Sequence, residues 1–269
     1  MTVNFNEHPI IDTHAHLYDE QFKNDISDVI NRAEDVNIKR IIIPATNYVT
    51  ASESLELAER FSIIRVAVGI HPHQAKEYSL NEFQKIESLI KNDKVVAIGE
   101  IGLEYFYDFA PRDLQKEIFV NQLKLGIKNN LPSIIHTRDS IDDAIKIIEE
   151  NFTKNSENQN KLNGVFHCFS GTYEQAEKLK QFGFLVSFTG NVTFKNSPLI
   201  ETVQKLNSGF MLETDSPYLT PIPFRGKRNE PSYVVYTLNK ISEICKTDTE
   251  QIAEETTSFA NRLFNLKLA

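Results

Sequence analysis

The chain has 269 residues, of which 41% are hydrophobic, and a formal net charge of −8 at pH 7. No apolar stretch approaches the roughly 20 residues needed to cross a bilayer, and two cysteines cannot supply a disulfide framework. The N-terminal segment lacks the basic and apolar regions of a secretory signal, so the cytoplasm is the expected location. The acidic balance argues against a broad nucleic-acid-binding surface, but not against a polyanion held at one local site.

Short apolar runs alternate with helical segments along the chain. Runs of this length, bounded by turn signals, are typical of strands that are buried on both faces. Eight strands are predicted, over residues 10–13, 40–45, 64–69, 95–99, 132–135, 164–166, 184–189 and 210–213. Three helix starts between them carry capping-box patterns, in Ser79 with Glu82, Ser140 with Asp143 and Thr172 with Gln175. The polar stretch 153–161 is predicted to be an exposed helix-to-strand loop.

The order of these elements indicates the fold class. Alternation of strands with helices predicts parallel pairing, and eight such units predict closure into a TIM-like (β/α)8 barrel. Because about 250 residues are typical of this barrel as one domain, residues 1–269 are predicted to form a single α/β domain without an internal linker. The C-terminal ends of the strands meet at one face of such a barrel, so side chains that are distant in sequence converge there.

Six histidine, glutamate and aspartate side chains lie where apolar runs stop. They are His14, His16, Glu100, His136, His167 and Asp215, in the segments IIDTHAHL, VVAIGEIGLEY, PSIIHTRD, GVFHCFSG and FMLETDSPYL. Each is therefore predicted at the C-terminal end of a strand, on the shared face of the barrel. Imidazole and carboxylate groups suit Zn²⁺, Mn²⁺ or Mg²⁺ as ligands. The sequence thus predicts a site for divalent metal ions.

A structural role is the alternative for each of these residues, because a lone histidine at a strand end is more often hydrogen-bonded than metal-bound. The pair His14 and His16 favours a ligand role, since residues i and i+2 of a strand share a face. Glu100 follows the apolar run 95–98, where a carboxylate is costly unless it is paired, hydrogen-bonded or metal-bound. Asp12 has two open interpretations: its carboxylate accepts a hydrogen bond either from the imidazole of a metal ligand or from the backbone.

Seven motifs occur in a fixed order between Ile11 and Pro231, namely IDTHAHL, GIHPH, GEIGLEY, IIHTRD, FHCFSG, ETDSPYLTP and RGKRNEP. In this order the chain resembles the TatD family of metal-dependent deoxyribonucleases, within the amidohydrolase superfamily. The resemblance implies a TIM-like barrel, two divalent metal ions (Mg, Mn or Zn) and hydrolysis of DNA phosphodiester bonds, often from the 3′ end. On this resemblance the six side chains match the family's metal ligands, and Glu100 matches a residue that can bridge two ions.

Two positions depart from the family pattern. The family more often has GLDY where this chain has GLEY with Glu104, and Tyr18 stands where an aspartate commonly follows HL. Neither residue is expected to touch a metal ligand. Both are expected to alter the wall of the pocket and, with it, the substrate preference.

The predicted ligands also suit a hydrolytic reaction at phosphorus. Phosphodiester hydrolysis needs a hydroxide, neutralisation of charge on the phosphoryl oxygens and stabilisation of the leaving alkoxide, and divalent ions supply all three. Asp215, at the end of the last strand, is the candidate to orient or deprotonate the attacking water. Glu100 is the other predicted catalytic residue, through the bridging position that the resemblance implies.

Basic side chains near the predicted site are candidates for phosphate binding, and they are His71, His73, Arg138, Arg225, Lys227 and Arg228. A structural role is the alternative for the two histidines. The cluster 225–228 is either a solvated face or a phosphate contact, and its place at the barrel rim after two prolines favours contact. The aromatic run 105–107, with Phe109, either stacks on bases or packs within the core or a loop.

Other functions stay open at the level of sequence. Amidohydrolase relatives that act on C–N bonds with two metals often carry a carboxylated lysine on a barrel strand, and this chain has Glu100 at the corresponding position. Phosphodiesters are therefore favoured over amides, while esters such as aminoacyl-tRNA, on which some TatD-like proteins are thought to act, are an alternative substrate. A non-catalytic binding barrel is the alternative from another class. We expect a 3′ to 5′ exonuclease on single-stranded DNA, as a monomer or weak homo-oligomer without membrane association.

Overall fold

The central element of the fold is one parallel sheet of eight strands in sequence order. The computed structural model describes residues 8–153 and 162–268, and within them the strands are β1 (Ile10–Asp12), β2 (Ile38–Pro44), β3 (Ile64–Val68), β4 (Val95–Glu104), β5 (Ser133–Arg138), β6 (Gly164–Phe166), β7 (Phe184–Phe188) and β8 (Phe210–Leu212). The segments after β1 and β8 are joined by backbone hydrogen bonds, such as Asp215 N to His14 O at 2.8 Å. The strands therefore form a nearly closed barrel, which confirms the predicted TIM-like fold.

Helices follow the strands and pack against the sheet. They are α1 (Ile26–Asp35), α2 (Tyr48–Arg60), α3 (Leu80–Leu89), α4 (Arg112–Asn129), α5 (Ile141–Ile148), α6 (Tyr173–Gln181), α7 (Leu199–Leu206), α8 (Val234–Cys245) and α9 (Thr249–Phe264). None of the helices in the described part of the chain combines the length and apolar character that a bilayer span requires. The polar stretch predicted as a loop lies, apart from residue 153, outside the described residues.

The predicted helix caps are present at two of three positions. Ser79 and Thr172 accept hydrogen bonds at the starts of α3 and α6, and Thr172 forms a complete capping box. Ser140 precedes α5 but does not cap it. Its hydroxyl instead donates to the carbonyl of Leu103 at 2.7 Å and accepts from the amide of Arg138 at 3.1 Å. Ser140 thus ties together the C-terminal ends of β4 and β5.

Two of the predicted ligands lie within strands and not beyond their ends. β4 continues past the predicted 95–99 and contains Glu100, and β5 contains His136. The pairing register between these strands shifts between Ile98 and Ile101, as at a β-bulge beside Glu100. The predicted last residues of these two strands, 99 and 135, are therefore wrong, because the strands end at Glu104 and Arg138. The physical reason is that histidines next to β4 compensate the buried charge of Glu100, so the carboxylate does not force the strand to end.

An apolar cluster fills the barrel interior beneath the C-terminal face. Every strand contributes at least one residue to it, namely Ile11, Ile42, Ala67, Val96, Ala97, Ile134, Val165, Leu185 and Met211. Ala260 and Phe264 of α9 belong to the same cluster, and α9 contacts β1 and β8. Because side chains alternate between the two faces of a strand, the remaining buried aliphatic residues form the layer between sheet and helices. The polar side chains of the candidate site therefore rest on a rigid apolar base.

Candidate metal centre

Glu100 lies at the centre of a cluster of buried histidines. Its Oε1 atom lies 2.8 Å from Nε2 of His167 and 3.0 Å from Nδ1 of His136. The same oxygen lies 3.4 Å from Nε2 of His71. His136 and His167 also approach each other, with 3.2 Å between Nδ1 of the first and Nε2 of the second. These three imidazoles form one half of the candidate site.

The second oxygen of Glu100 faces a different set of side chains. Oε2 lies 3.5 Å from Nε2 of His14 and 3.8 Å from Nε2 of His16. Oδ1 of Asp215 closes this half, at 3.7 Å from His14 Nε2 and 3.3 Å from His16 Nε2. The structure therefore brings all six predicted ligands together. It also places the two oxygens of Glu100 toward two separate groups, which is the arrangement that a carboxylate needs to bridge two cations.

The loops after β1 and β8 are held side by side by Asp12. Its carboxylate accepts a hydrogen bond from the backbone amide of His14 at 3.2 Å and two from Thr214, at 3.0 Å from the amide and 2.6 Å from the hydroxyl. Burial raises the pKa of Asp12 to about 8 despite these hydrogen bonds. Asp12 thus supports the backbone of the ligand loops, which is the second of the two interpretations given above.

The donor set fits a divalent cation. Nε2 of His14 and Nε2 of His16 lie 3.2 Å apart. In a hydrogen bond between them only one of the two nitrogens carries the proton, and the other presents a lone pair. Nδ1 of His14 and Nδ1 of His167 are buried and have no hydrogen-bond partner among the described residues. Three overlapping groups place their ligand atoms within 4.8 Å of one another, namely His14 with His16 and Glu100, His71 with Glu100 and His136, and His14 with His167 and Glu213. Imidazole nitrogen and carboxylate oxygen suit zinc, and carboxylates also suit magnesium and manganese.

Burial and neighbouring charges set the protonation of the cluster. Burial alone would raise the pKa of Glu100, but the histidines around it, His167 first, outweigh burial and hold that pKa well below its ordinary value. Burial alone would lower the pKa of His167, but Glu100 and Glu213 outweigh it and raise that pKa. Burial lowers the pKa of His71 to about 4, so this imidazole is neutral at physiological pH. A neutral imidazole is the form that binds metals.

Glu213 is a buried carboxylate of the site that the sequence did not single out. It accepts hydrogen bonds from the amide of Cys168 at 2.6 Å and from the hydroxyl of Ser187 at 2.6 Å. Its Oε1 lies 3.6 Å from Nδ1 of His167. Glu213 directly follows the apolar run of β8, so the positional signal that selected the other residues would also have selected it.

The two departures from the family pattern both contact predicted ligands. Oε2 of Glu104 lies 3.2 Å from Nε2 of His136, and the hydroxyl of Tyr18 lies 2.9 Å from Nδ1 of His16. The expectation that neither residue touches a ligand is therefore wrong. Glu104 reaches the site because β4 extends beyond Glu100, and residues at i and i+4 of a strand share a face.

The residues predicted to bind phosphate near β3 and β5 occupy different depths. His71 is buried within the cluster described above, where it is a candidate ligand as well as a candidate phosphate donor. His73 is partly exposed, with its Nε2 3.4 Å from Oε2 of Glu104. Arg138 is exposed, and its guanidinium lies 4.1 Å from the ring centroid of Phe106. Arg138 therefore lies at the rim, where a bound anion has access to its guanidinium, whereas Nε2 of His73 is buried and faces Glu104.

The basic cluster after β8 divides into two kinds of residue. Arg228 donates to Asp25 through both terminal nitrogens, at 2.8 Å and 2.7 Å. Arg225 instead lies 3.9 Å from the ring centroid of Phe194, and neither Arg225 nor Lys227 forms an ion pair with any residue that the structure describes. Arg228 thus has a structural partner, so the phosphate-binding hypothesis is better founded for Arg225 and Lys227.

The sequence and fold have close counterparts among known proteins. Residues 11–265 match the model of the family described as TatD related DNase. The chain is 42% identical over 259 residues to Bacillus subtilis YabD, named as an uncharacterized metal-dependent hydrolase, across 96% of this chain and 99% of that protein. It is 30% identical over 270 residues to the Shigella flexneri protein named 3′-5′ ssDNA/RNA exonuclease TatD, across 96% and 99%. The solved structure of Escherichia coli YjjV, a TatD homologue, matches with a TM-score of 0.88 at 29% identity, across 95% and 98%.

Proposed function

We propose that this chain, which belongs to the TatD related DNase family of metal-dependent hydrolases, is a 3′ to 5′ exonuclease that hydrolyses phosphodiester bonds of single-stranded DNA. The observation that carries the proposal is the position of Glu100, whose two carboxylate oxygens face two separate groups of histidines. Such an arrangement suits a pair of cations that share one bridging ligand, as in many enzymes that cleave phosphodiesters. The relative named as a single-strand exonuclease supports the choice of substrate.

The ligand groups divide naturally between two positions on either side of Glu100. One position would be held by His14, His16 and Asp215, and the other by His136 and His167, with His71 adjacent to it. When bound, divalent cations supply Lewis acidity for the phosphoryl oxygens and activation of water at neutral pH. The apolar base of the barrel and the hydrogen bonds of Asp12 hold these side chains in place before substrate arrives.

Asp215 is the carboxylate best placed to act on the attacking water. Its side chain is 13% exposed, whereas that of Glu100 is 3% exposed, so Asp215 is more accessible from the mouth of the barrel. Burial alone would raise the pKa of Asp215, but the hydrogen bond with His16 and the charge of His14 outweigh it and lower that pKa. Asp215 is therefore ionised at neutral pH and can orient a water molecule and accept its proton.

Rim residues supply contacts for the rest of the substrate. His73 and Arg138 lie beside the His136 half of the site. Arg138 would donate to phosphate oxygens through its exposed guanidinium, and His73 would donate through Nδ1, because its Nε2 is buried and faces Glu104. Such contacts position a strand without reading its sequence, because every nucleotide carries the same phosphate. The proposed enzyme should consequently cleave strands of many sequences.

A substrate panel tests the proposal. The chelator-treated chain is reloaded with Mg²⁺, Mn²⁺ or Zn²⁺ and incubated with linear single-stranded DNA, the same strand with a blocked 3′ end, circular single-stranded DNA, duplex DNA, RNA and an aminoacyl-tRNA. We expect mononucleotides from the linear single strand, no products after chelation, and little cleavage of the blocked or circular strands. Rapid nicking of the circular strand would contradict an exonuclease. Hydrolysis of the aminoacyl ester alone would replace the proposed function by that of a deacylase.

The variant Glu100→Gln keeps the size of the side chain but removes the charge that faces both groups of histidines. It should bind less metal and lose nearly all nuclease activity, while circular dichroism stays unchanged, because the barrel is stabilised by its apolar layers. Glu56→Gln, at an exposed position of α2, is the matched control and should behave as the parent chain. Parental turnover by Glu100→Gln would rule out a site built around this carboxylate.

A further inference from the structure

Three large rings are exposed in the turn that follows β4. The side chains are Phe106, Tyr107 and Phe109, which are 56%, 42% and 48% exposed, and we call them the aromatic turn. Tyr105 is not part of it, since its hydroxyl donates to Asp143 at 2.8 Å and its ring is partly buried. A contiguous group of exposed apolar rings on a soluble fold indicates a binding surface.

The aromatic turn is fixed to the candidate metal centre by one carboxylate. Oε1 of Glu104 accepts hydrogen bonds from the amides of Phe106 at 2.8 Å and Tyr107 at 3.2 Å. The other oxygen of Glu104 lies 3.2 Å from Nε2 of the predicted ligand His136. The turn is therefore held in a defined position directly beside the proposed reaction site.

A second connection runs through the rim histidine. The ring of His73 packs edge-on against that of Phe109, with centroids 4.5 Å apart, and against Tyr107, with centroids 5.8 Å apart. The exposed rings thus continue the wall of the site outward. A ligand that enters the site from this side passes over them.

A cation lies within the same surface. The guanidinium of Arg138 lies 4.1 Å from the ring centroid of Phe106 and 5.0 Å from that of Tyr107. Asp108, in the turn itself, is also exposed, so the two charges offset each other and the surface has little net charge. Affinity at this surface must consequently come mainly from the rings, with Arg138 available for a single phosphate.

We propose that the aromatic turn stacks on unpaired nucleobases of a single strand whose end lies in the metal centre, an inference that rests on the proposed function. Stacking on exposed rings is tolerant of sequence, because every base has a flat π-face. Bases in a duplex are already stacked and paired, so their faces are not available to the turn. The aromatic turn therefore gives the enzyme its preference for single strands over duplexes.

Binding to two strands of equal length tests this inference. One strand carries bases, and the other is abasic throughout, so that it presents the same phosphates without rings. Binding is measured with the Ca²⁺-loaded chain, to prevent turnover. Phe106→Ala, Tyr107→Ala and Phe109→Ala should each weaken binding of the base-carrying strand about 5- to 150-fold and leave binding of the abasic strand unchanged. Phe106→Trp should bind the base-carrying strand as tightly as the parent chain does, unlike Phe106→Ala, because it keeps an aromatic ring at this position.

A matched control truncates an exposed apolar side chain outside the turn. Leu80, at the start of α3, is 68% exposed, and Leu80→Ala should bind both strands as the parent chain does.

The inference would be overturned if the parent chain bound the base-carrying and the abasic strand with equal affinity, even if the chain cleaves DNA. Failure to cleave any phosphodiester would overturn the proposed function, while base-dependent binding lost in the three alanine variants would still support the turn as a stacking surface. Self-association of the parent chain that Phe106→Ala abolishes would identify the surface as a contact between two copies and overturn the inference.

Discussion

The hydroxyl of Tyr18 lies 2.9 Å from Nδ1 of His16, while Nε2 of the same imidazole faces Glu100. An imidazole whose outer nitrogen is hydrogen-bonded is held in one orientation and one tautomer, which leaves its inner nitrogen free to bind a metal. Glu104 has the corresponding position at the outer nitrogen of His136. Both departures from the family pattern thus support proposed ligands and do not merely line the pocket.

Removing the hydroxyl of Tyr18 tests this supporting role. Tyr18→Phe keeps the ring and should lower metal affinity about 10- to 100-fold, because His16 loses the partner that fixes its tautomer. Affinity is measured by competition with a chelator of known strength, and thermal unfolding of the metal-free chain should be nearly unchanged. Tyr218→Phe is the control, since the Tyr218 hydroxyl contacts Asp19 at 3.5 Å. Equal metal affinity in Tyr18→Phe and the parent chain would leave Tyr18 without this role.

The fold was predictable because its elements follow local rules. Eight apolar runs separated by amphipathic segments allow few topologies, since parallel pairing with right-handed connections closes eight such units into a barrel. The ligand set was predictable for a related reason. A charged or imidazole side chain directly beside a buried apolar run is costly unless a partner compensates it, and Glu100 and His167 both follow this rule.

Contacts between strands were less accessible from sequence. The predicted strand 95–99 excludes Glu104, because the His136 that compensates this carboxylate lies on the neighbouring strand and is not visible in the local sequence of β4. The period-two spacing of Glu100, Gly102 and Glu104 was the available signal for a longer strand. The partner of Arg228 could not be predicted either, since Asp25 is brought close only by closure of the barrel.

Gly102 allows β4 and β5 to approach closely beside the site. Its φ is +141°, and an added Cβ would lie 2.0 Å from the carbonyl oxygen of His136. Gly102→Ala should therefore displace His136, lower the free energy of unfolding by about 3 kcal/mol or more, and reduce metal binding. Gly209→Ala is the matched control, because Gly209 also has a positive φ of +83° but open space around it. In denaturant unfolding, equal losses for the two variants would show that backbone conformation alone, and not the close approach, determines the effect.

The ion pair between Glu230 and Arg32 should make stability depend on acid pH. The carboxylate of Glu230 accepts from Arg32 at 2.8 Å and 2.7 Å. Burial alone would raise the pKa of Glu230, but the hydrogen bonds from Arg32 outweigh it and lower that pKa. Because the folded-state pKa is the lower one, the contribution to stability is fully present above the unfolded-state pKa and is lost as the pH falls through the folded-state value.

Glu230→Gln should consequently unfold at a lower temperature than the parent chain at neutral pH. The difference should shrink as the pH falls below the ordinary range of a glutamate, because the parent chain then loses the same contribution. Thermal unfolding followed at a series of pH values measures both curves, with Glu56→Gln on the exposed face of α2 as the control. A difference that stays constant with pH would mean that packing and not charge accounts for the effect.

The basic cluster after β8 should separate into phosphate contacts and a structural residue when the salt dependence of DNA binding is measured. Each side chain that neutralises a phosphate of a single strand contributes about −0.7 to the slope of log K against log salt. Arg225→Ala and Lys227→Ala should therefore weaken binding to all sequences and flatten the slope by up to this amount. Arg228→Ala should leave the slope unchanged and lower stability, because Arg228 is bonded to Asp25. Fluorescence anisotropy with the Ca²⁺-loaded chain gives the slopes, and an unchanged slope in Arg225→Ala and Lys227→Ala would assign both residues to the solvated face.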